Sequence, residues 1–155
     1  MGWTVLSVAA GIVIIAWGVN VGIPYRCDYA WFRRLRRPGW LTFEGAIPWI
    51  WTVIFGCGGL SAVWVWEQGL GWGWMVGYGI LEVLILVYMP VLCGLKNLRA
   101  AAIVGLTGWA WGAGMAVLLW PLCPKAVWLL LPYLLWSPVG VYVTWELIRL
   151  NPGSP

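Results

Sequence analysis

WFRRLRRPGWLTFEGAIPWIWTVIFGCGGLSAVWVW, residues 31–66, falls into two halves that need different solvents. The first half carries Arg33, Arg34, Arg36 and Arg37 within five positions, and each guanidinium would cost kilocalories at bilayer depth. Pro38-Gly39 then breaks the chain, and residues 46–66 run without a charge until Glu67. A helix of that length, at ~1.5 Å per residue, crosses a hydrocarbon core of ~30 Å. One stretch therefore marks a membrane surface and leads from it into a Trp-rich span.

Composition extends this to the whole chain. Of its 155 residues 63% are hydrophobic and 9% charged, whereas soluble domains carry about a quarter charged residues. Residues 1–155 are read as one membrane domain with no room for a separate soluble one. Interfacial belts account for part of the sixteen tryptophans, but Trp51, Trp111 and Trp136 fall inside apolar runs. The net charge of +4 sits beside the spans and not on a soluble face, which argues against a nucleic-acid partner and for lipid. Histidine is absent, and the spacing of Cys27, Cys57, Cys93 and Cys123 suggests neither a zinc site nor a redox pair. Cys57 and Cys93 read as small packing residues, with a disulfide left open. The N-terminal apolar run lacks a basic flank and a small-x-small cleavage site, so it reads as a retained first span.

Five spans fit: residues 3–23, 46–66, 71–93, 100–120 and 126–148. Pro121, Pro124 and Lys125 mark a tight reversal, and the short connections predict antiparallel sequential neighbours. Five crossings place Arg26, Arg33, Arg34, Arg36, Arg37, Lys96, Arg99 and Arg149 on one side, with Lys125 alone opposite. That imbalance predicts the N-terminus outside and the C-terminus cytoplasmic. Within the first loop, Asp28 is placed to cap a short helix that brings Trp31 and Leu35 to one face and ends by Pro38. The loop is either a topology determinant with aromatic anchors or a lid over the bundle.

Gly18/Gly22, Gly73/Gly77 and Gly108/Gly112 form GxxxG patterns, which permit close helix approach. Each reads first as an intrachain contact, and Gly73 with Gly77 is the best candidate for a homodimer seam. Glu82 lies near the middle of the third span, one turn after Tyr78, so it must be protonated, paired or facing a wet cavity. It is either a ligand or proton site or a structural hydrogen-bond donor. In the fifth span Tyr133, Ser137 and Thr144 share a side beside Trp136, while Pro132 and Pro138 free backbone carbonyls. Thr52 and Thr107 are expected to bond to their own preceding turns.

The pattern resembles the tryptophan-rich sensory protein and translocator protein family, also called peripheral-type benzodiazepine receptors. Trp31, Leu35, Arg37-Pro38 and Trp40 match its first-loop run. Trp51-Thr52, Gly59 and Trp66 match its second helix, and Pro90 with Gly94 the end of its third. Pro132-Tyr133-Leu134 with Trp136, then Arg149 and Asn151, match the fifth, and Pro-Tyr-Leu-x-Trp is the most specific of these. The resemblance implies an all-α bundle of five transmembrane helices with a short helix in the first loop, often dimeric. It further implies a cavity beneath that loop for tetrapyrroles, sterols or drug-like ligands, lined by Trp40, Trp51, Tyr88, Tyr133 and Trp136. The chain reads as a divergent member. Thr42-Phe43 replace a double proline, the third helix's polar positions fall on Leu81 and Ile85, an acidic fourth-helix position falls on Val104, and Thr144 and Trp145 stand for an asparagine and a tyrosine.

Trp and Tyr rings offer stacking faces, and loop arginines suit propionate carboxylates. The expected function is therefore binding of porphyrin or haem for transport, sensing or regulation of tetrapyrrole metabolism, with Ser137 and Glu82 added to the binding set and Trp31, Arg37 and Pro38 to the loop. No resident cofactor is required, and with no histidine the commonest haem axial ligand is missing. No nucleophile with an oriented base and no metal constellation is present. The alternatives are porphyrin photo-oxidation at tryptophan and a small proton-coupled transporter using Glu82.

Overall fold

The computed structural model describes residues 2–22 and 27–153; Arg26 and Ile23, used above in the charge count and the first span, lie outside them. Five helices are long and apolar enough to cross a bilayer. In the labels used below they are α1 (Gly2–Gly22), α3 (Ile47–Glu67), α4 (Trp72–Met89), α5 (Leu98–Leu119) and α6 (Pro124–Leu150), with α2 (Tyr29–Arg34) a short helix in the first loop. The architecture is the one the sequence implies, and the chain is an integral multi-pass membrane protein. Helices are what hydrocarbon permits, because every backbone donor and acceptor must be met within the segment.

The ends of the spans follow local chemistry. The Asp28 carboxylate accepts from the Trp31 amide at 2.9 Å and starts α2. Leu35 is already extended (ψ 137°), so α2 stops three residues before Pro38, yet the Leu35 side chain is buried against Leu92, Leu98 and Leu147. Asn97 caps α5 through the Ala100 amide at 2.9 Å, which starts that helix two residues earlier than its apolar run suggests. Pro124 occupies the first turn of α6, where its missing N–H costs nothing. Pro90–Gly94 continues α4 as a single wider turn.

Around the bundle the spans run α1, α3, α6, α5, α4 and back to α1. Sequential spans are neighbours with one qualification: α3 and α4 touch less, because α1 packs against both. No residue of α1 is buried. Its Ser7 and Asn20 side chains donate to the carbonyls of Trp3 (2.8 Å) and Ala16 (3.0 Å), which satisfies them without a neighbour. Thr52 and Thr107 do the same, to Pro48 (3.0 Å) and Ile103 (2.8 Å).

Two of the glycine patterns hold intrachain seats, while Gly18 and Gly22 have nothing within 4 Å of an added Cβ. A Cβ on Gly112 would lie 2.7 Å from Tyr133 Cε1, and one on Gly108 3.0 Å from the Tyr133 hydroxyl, so α5 is cut away to receive that ring. Gly77 is buried under Met115, with 3.3 Å to its methyl from an added Cβ, and its carbonyl accepts from the Trp111 indole at 3.0 Å. Gly77 is thus filled from within the chain and does not offer the flat surface a dimer seam needs, although Gly73 faces open space. Pro138 leaves the Leu134 carbonyl without its helical donor, and the Trp109 indole supplies one at 3.1 Å.

The first loop, the α4–α5 connection and the C-terminus meet at one end. The Asp28 amide donates to the Cys93 carbonyl at 3.0 Å, Lys96 pairs with Asp28 at 2.9 Å, and the Asn151 side chain bonds both backbone groups of Arg36 at 2.9 and 3.1 Å. A disulfide joins Cys27 to Cys93, with Cα atoms 4.8 Å apart. Cys93 is therefore not the simple packing residue expected of it. Its partner sits 66 residues earlier, a pairing that no local spacing announces. Cys57 and Cys123 are free.

Candidate functional site

Beneath the loop lies a cavity of about 990 Å³ between α3, α4, α5 and α6. Trp51, Tyr88, Tyr133, Trp136 and Ser137 all line it, as does Arg37 from the loop above. The alignment on α6 comes from helical spacing: Tyr133, Ser137 and Thr144 are buried on one face. Tyr88 bonds through its hydroxyl to Thr144, whose own hydroxyl donates to the Gly140 carbonyl at 3.0 Å. This chain ties α4 to α6 and uses the polar capacity of the wall internally. Toward the loop, Phe43 meets Trp136 edge-on, with centroids 6.2 Å apart.

Two residues expected in the cavity take other places. Trp40 is 42% exposed and stacks on Tyr142 at 5.6 Å, outside the cavity lining. Trp31, expected in the loop, packs with Leu35 on the small core formed by the ends of α4, α5 and α6, so it docks α2. Glu82 lines a second hollow, of about 410 Å³, between α1, α3 and α4. Leu81 lines it too and Ile85 lines both hollows, so this side of α4 is turned to the gap that α1 fills between α3 and α4. Phe55, Ile85 and Tyr133 contribute to both hollows and form the partition between them.

The loop's charge is arranged differently from the simple expectation. Arg37 forms an ion pair with Glu44, its guanidinium lies 4.8 Å from the centre of the Phe32 ring, and both partners face the cavity. The mouth therefore carries a neutralised arginine, with Arg33, Arg34 and Arg36 outside in solvent. Pro38 is buried, and its carbonyl accepts from the Leu41 amide at 3.1 Å, closing the turn that returns Glu44 to Arg37. Glu44 escaped the sequence reading. The available signal was an acid seven residues after Arg37 across a Pro-Gly turn. Phe32 and Phe43 also line the mouth and were legible only as interfacial aromatics. Outside the membrane, the Trp31 amide and then Lys96 hold the Asp28 carboxyl below its ordinary range. Among the described residues no three His, Cys, Asp or Glu side chains converge as metal ligands.

Five spans closed at one end by a pinned loop, over a cavity walled by indole and phenol rings, define a class of small membrane proteins. The TspO/MBR family model matches residues 3–150, and the chain belongs to that family. It is 26% identical over 129 residues to a tryptophan-rich sensory protein of Cereibacter sphaeroides, spanning 81% of this chain and 79% of that one. It is 23% identical over 129 residues to protein CrtK of Rhodobacter capsulatus, spanning 81% of each chain.

Proposed function

We propose that the cavity under the first loop binds a flat tetrapyrrole, porphyrin or haem, and that the protein serves in its transport or sensing. The observation that carries this reading is the cavity itself. Its 990 Å³ falls in the range of sites that enclose a cofactor-sized ligand, and its aromatic walls offer offset-stacking faces. Arg37, already at the mouth, is the cation for a propionate. The loop acts as the lid, with Trp31 docking it and Pro38 setting its turn. Family membership and the sensory name of the Cereibacter sphaeroides relative are consistent with a signalling or handling role. Without histidine, a metal-free porphyrin is favoured over axially ligated haem. The charge imbalance orients the chain with its N-terminus outside and the lid on the cytoplasmic face.

Titration of the purified protein with protoporphyrin, followed by Trp fluorescence, tests this. Saturable quenching at micromolar ligand is expected, weakened by Trp51→Leu or Trp136→Leu. Quenching that stays linear with ligand would end the proposal.

A further inference from the structure

The hollow between α1, α3 and α4 is not explained by a ligand under the loop. It lies toward the other end of the bundle, since Thr4 and Ser7 of α1, Trp66 at the end of α3 and Trp72 at the start of α4 belong to its lining. Its existence follows from side-chain size. Gly11 and Gly58 line it with nothing within 4 Å of a Cβ added at either, while Ile12 and Ile15 of α1 seat over Gly59 and Gly79, where an added Cβ would lie 3.1 and 3.6 Å from their methyls. The α3–α4 pair is splayed, α1 props the gap, and the glycines leave it unfilled.

The chemistry of the wall is lopsided. It is mostly apolar, and no lysine or arginine lines it. Its polar groups are largely spent within the chain: Ser7 donates to Trp3, and Tyr78 bonds to Ser61 at 2.6 Å, whose hydroxyl donates to the Ala126 carbonyl at 2.7 Å. Glu82 is the exception. It is the acid of this wall, and its Oε1 is buried with no hydrogen-bond partner among the described residues. A carboxyl left so in hydrocarbon is costly until a donor arrives. Trp66 and Trp72, edge to face at 4.9 Å, belong to the same lining, and Met75 supplies a pliable apolar surface.

We infer that this hollow is a second ligand site, separate from the cavity under the loop, and that it takes a hydrophobic amine whose ammonium pairs with Glu82. A bound ammonium supplies both the missing donor and the missing charge. Its apolar body fills a space of 410 Å³, large enough for a drug-sized molecule. The site does not depend on the tetrapyrrole reading, because Glu82, Gly58 and Gly11 line only the second hollow.

The probe is dansylcadaverine, a primary amine whose dansyl ring accepts energy from tryptophan. Its N-acetyl derivative, of similar shape and uncharged, is the control. With wild-type protein in nanodiscs the amine should give saturable energy transfer, and the acetylated probe should bind about tenfold or more weakly, as loss of a buried charge partner implies. Glu82→Gln should erase that difference. Gly58→Leu, which fills the hollow, should abolish saturable transfer from either probe. Protoporphyrin should neither compete with the amine nor bind either variant differently. Equal affinity of the two probes for the wild-type protein overturns the inference without any variant. So does amine binding untouched by Glu82→Gln, or competition by protoporphyrin. Failure of protoporphyrin to bind at all would count against the loop cavity and leave the amine measurements standing.

Discussion

If the Arg37–Glu44 pair guards the mouth of the cavity, neutralising Glu44 should tighten the grip on a dicarboxylic porphyrin. A propionate entering beside Arg37 must share the guanidinium with Glu44 or displace it. The Arg37 and Glu44 side chains are 26% and 37% exposed, so the full Coulomb term of ~4 kcal/mol at 4 Å and an effective dielectric near 20 does not apply. Solvent screening at such exposure brings the pair to about 1 kcal/mol, or roughly fivefold in affinity. Glu44→Gln keeps the shape and removes the competing charge. Protoporphyrin should then bind about three- to tenfold more tightly, while its dimethyl ester, which has no carboxylate to offer, should be unaffected. Arg37→Gln should weaken the diacid toward the level of the ester. Trp quenching gives all the dissociation constants, and raising salt should shrink the Glu44→Gln gain. If the ester gains as much as the diacid, the effect is loosening of the loop and the electrostatic reasoning is refuted.

Four further outcomes follow from the same geometry. Reduction of Cys27–Cys93, or Cys27→Ser, should speed trypsin cleavage after Arg33, Arg34 or Arg36 and quicken ligand exchange, because one of the ties from loop to bundle is gone; unchanged cleavage would mean that the Asn151 and Lys96 contacts suffice. If the loop faces the cytoplasm as proposed, cellular thiols would keep this pair reduced, so alkylation of intact cells before lysis should trap Cys27 free. Gly112→Ala places a methyl 2.7 Å from the Tyr133 ring, and should cost about 1–3 kcal/mol of stability with loss of the saturable protoporphyrin signal, read by thermal melting in detergent and by titration. Asp28 has a folded pKa below its unfolded value, so its support of the loop is complete above the ordinary carboxylate range and is lost only as pH falls through that lowered value. Loop protection from an acid-active protease should therefore persist to lower pH in the wild type than an unperturbed carboxylate would allow, and Asp28→Asn should remove the pH dependence.

Much of this protein is written in one dimension. Span count, the common side of the first loop, the α4–α5 connection and the C-terminus, and the Asp28 cap are set by bilayer thickness, by the cost of burying arginine and by hydrogen bonds within one turn. None of these needs a distant partner. The aromatic wall was also legible in part, since Tyr133, Trp136 and Ser137 lie on adjoining turns of one helix and the Pro-Tyr-Leu-x-Trp run carried the family resemblance. Trp40 was assigned to the cavity by position in that pattern, and its ring instead stacks on Tyr142.

What only the tertiary structure decided depends on helix azimuth and on the order of spans around the bundle. Insertion of α1 against both α3 and α4 opens the second hollow, and Glu82 lines it together with Leu81 and Ile85 of the same helix. Closure of the first loop brings Cys27 to Cys93 and returns Glu44 to Arg37, which neutralises the one arginine of the run that faces the cavity. How often the chain crosses and where its charged surface lies can be read from the residues alone, because the bilayer acts on those features segment by segment. Which side chains face one another was left to packing between helices, where a rotation of a single residue costs little locally and changes every partner.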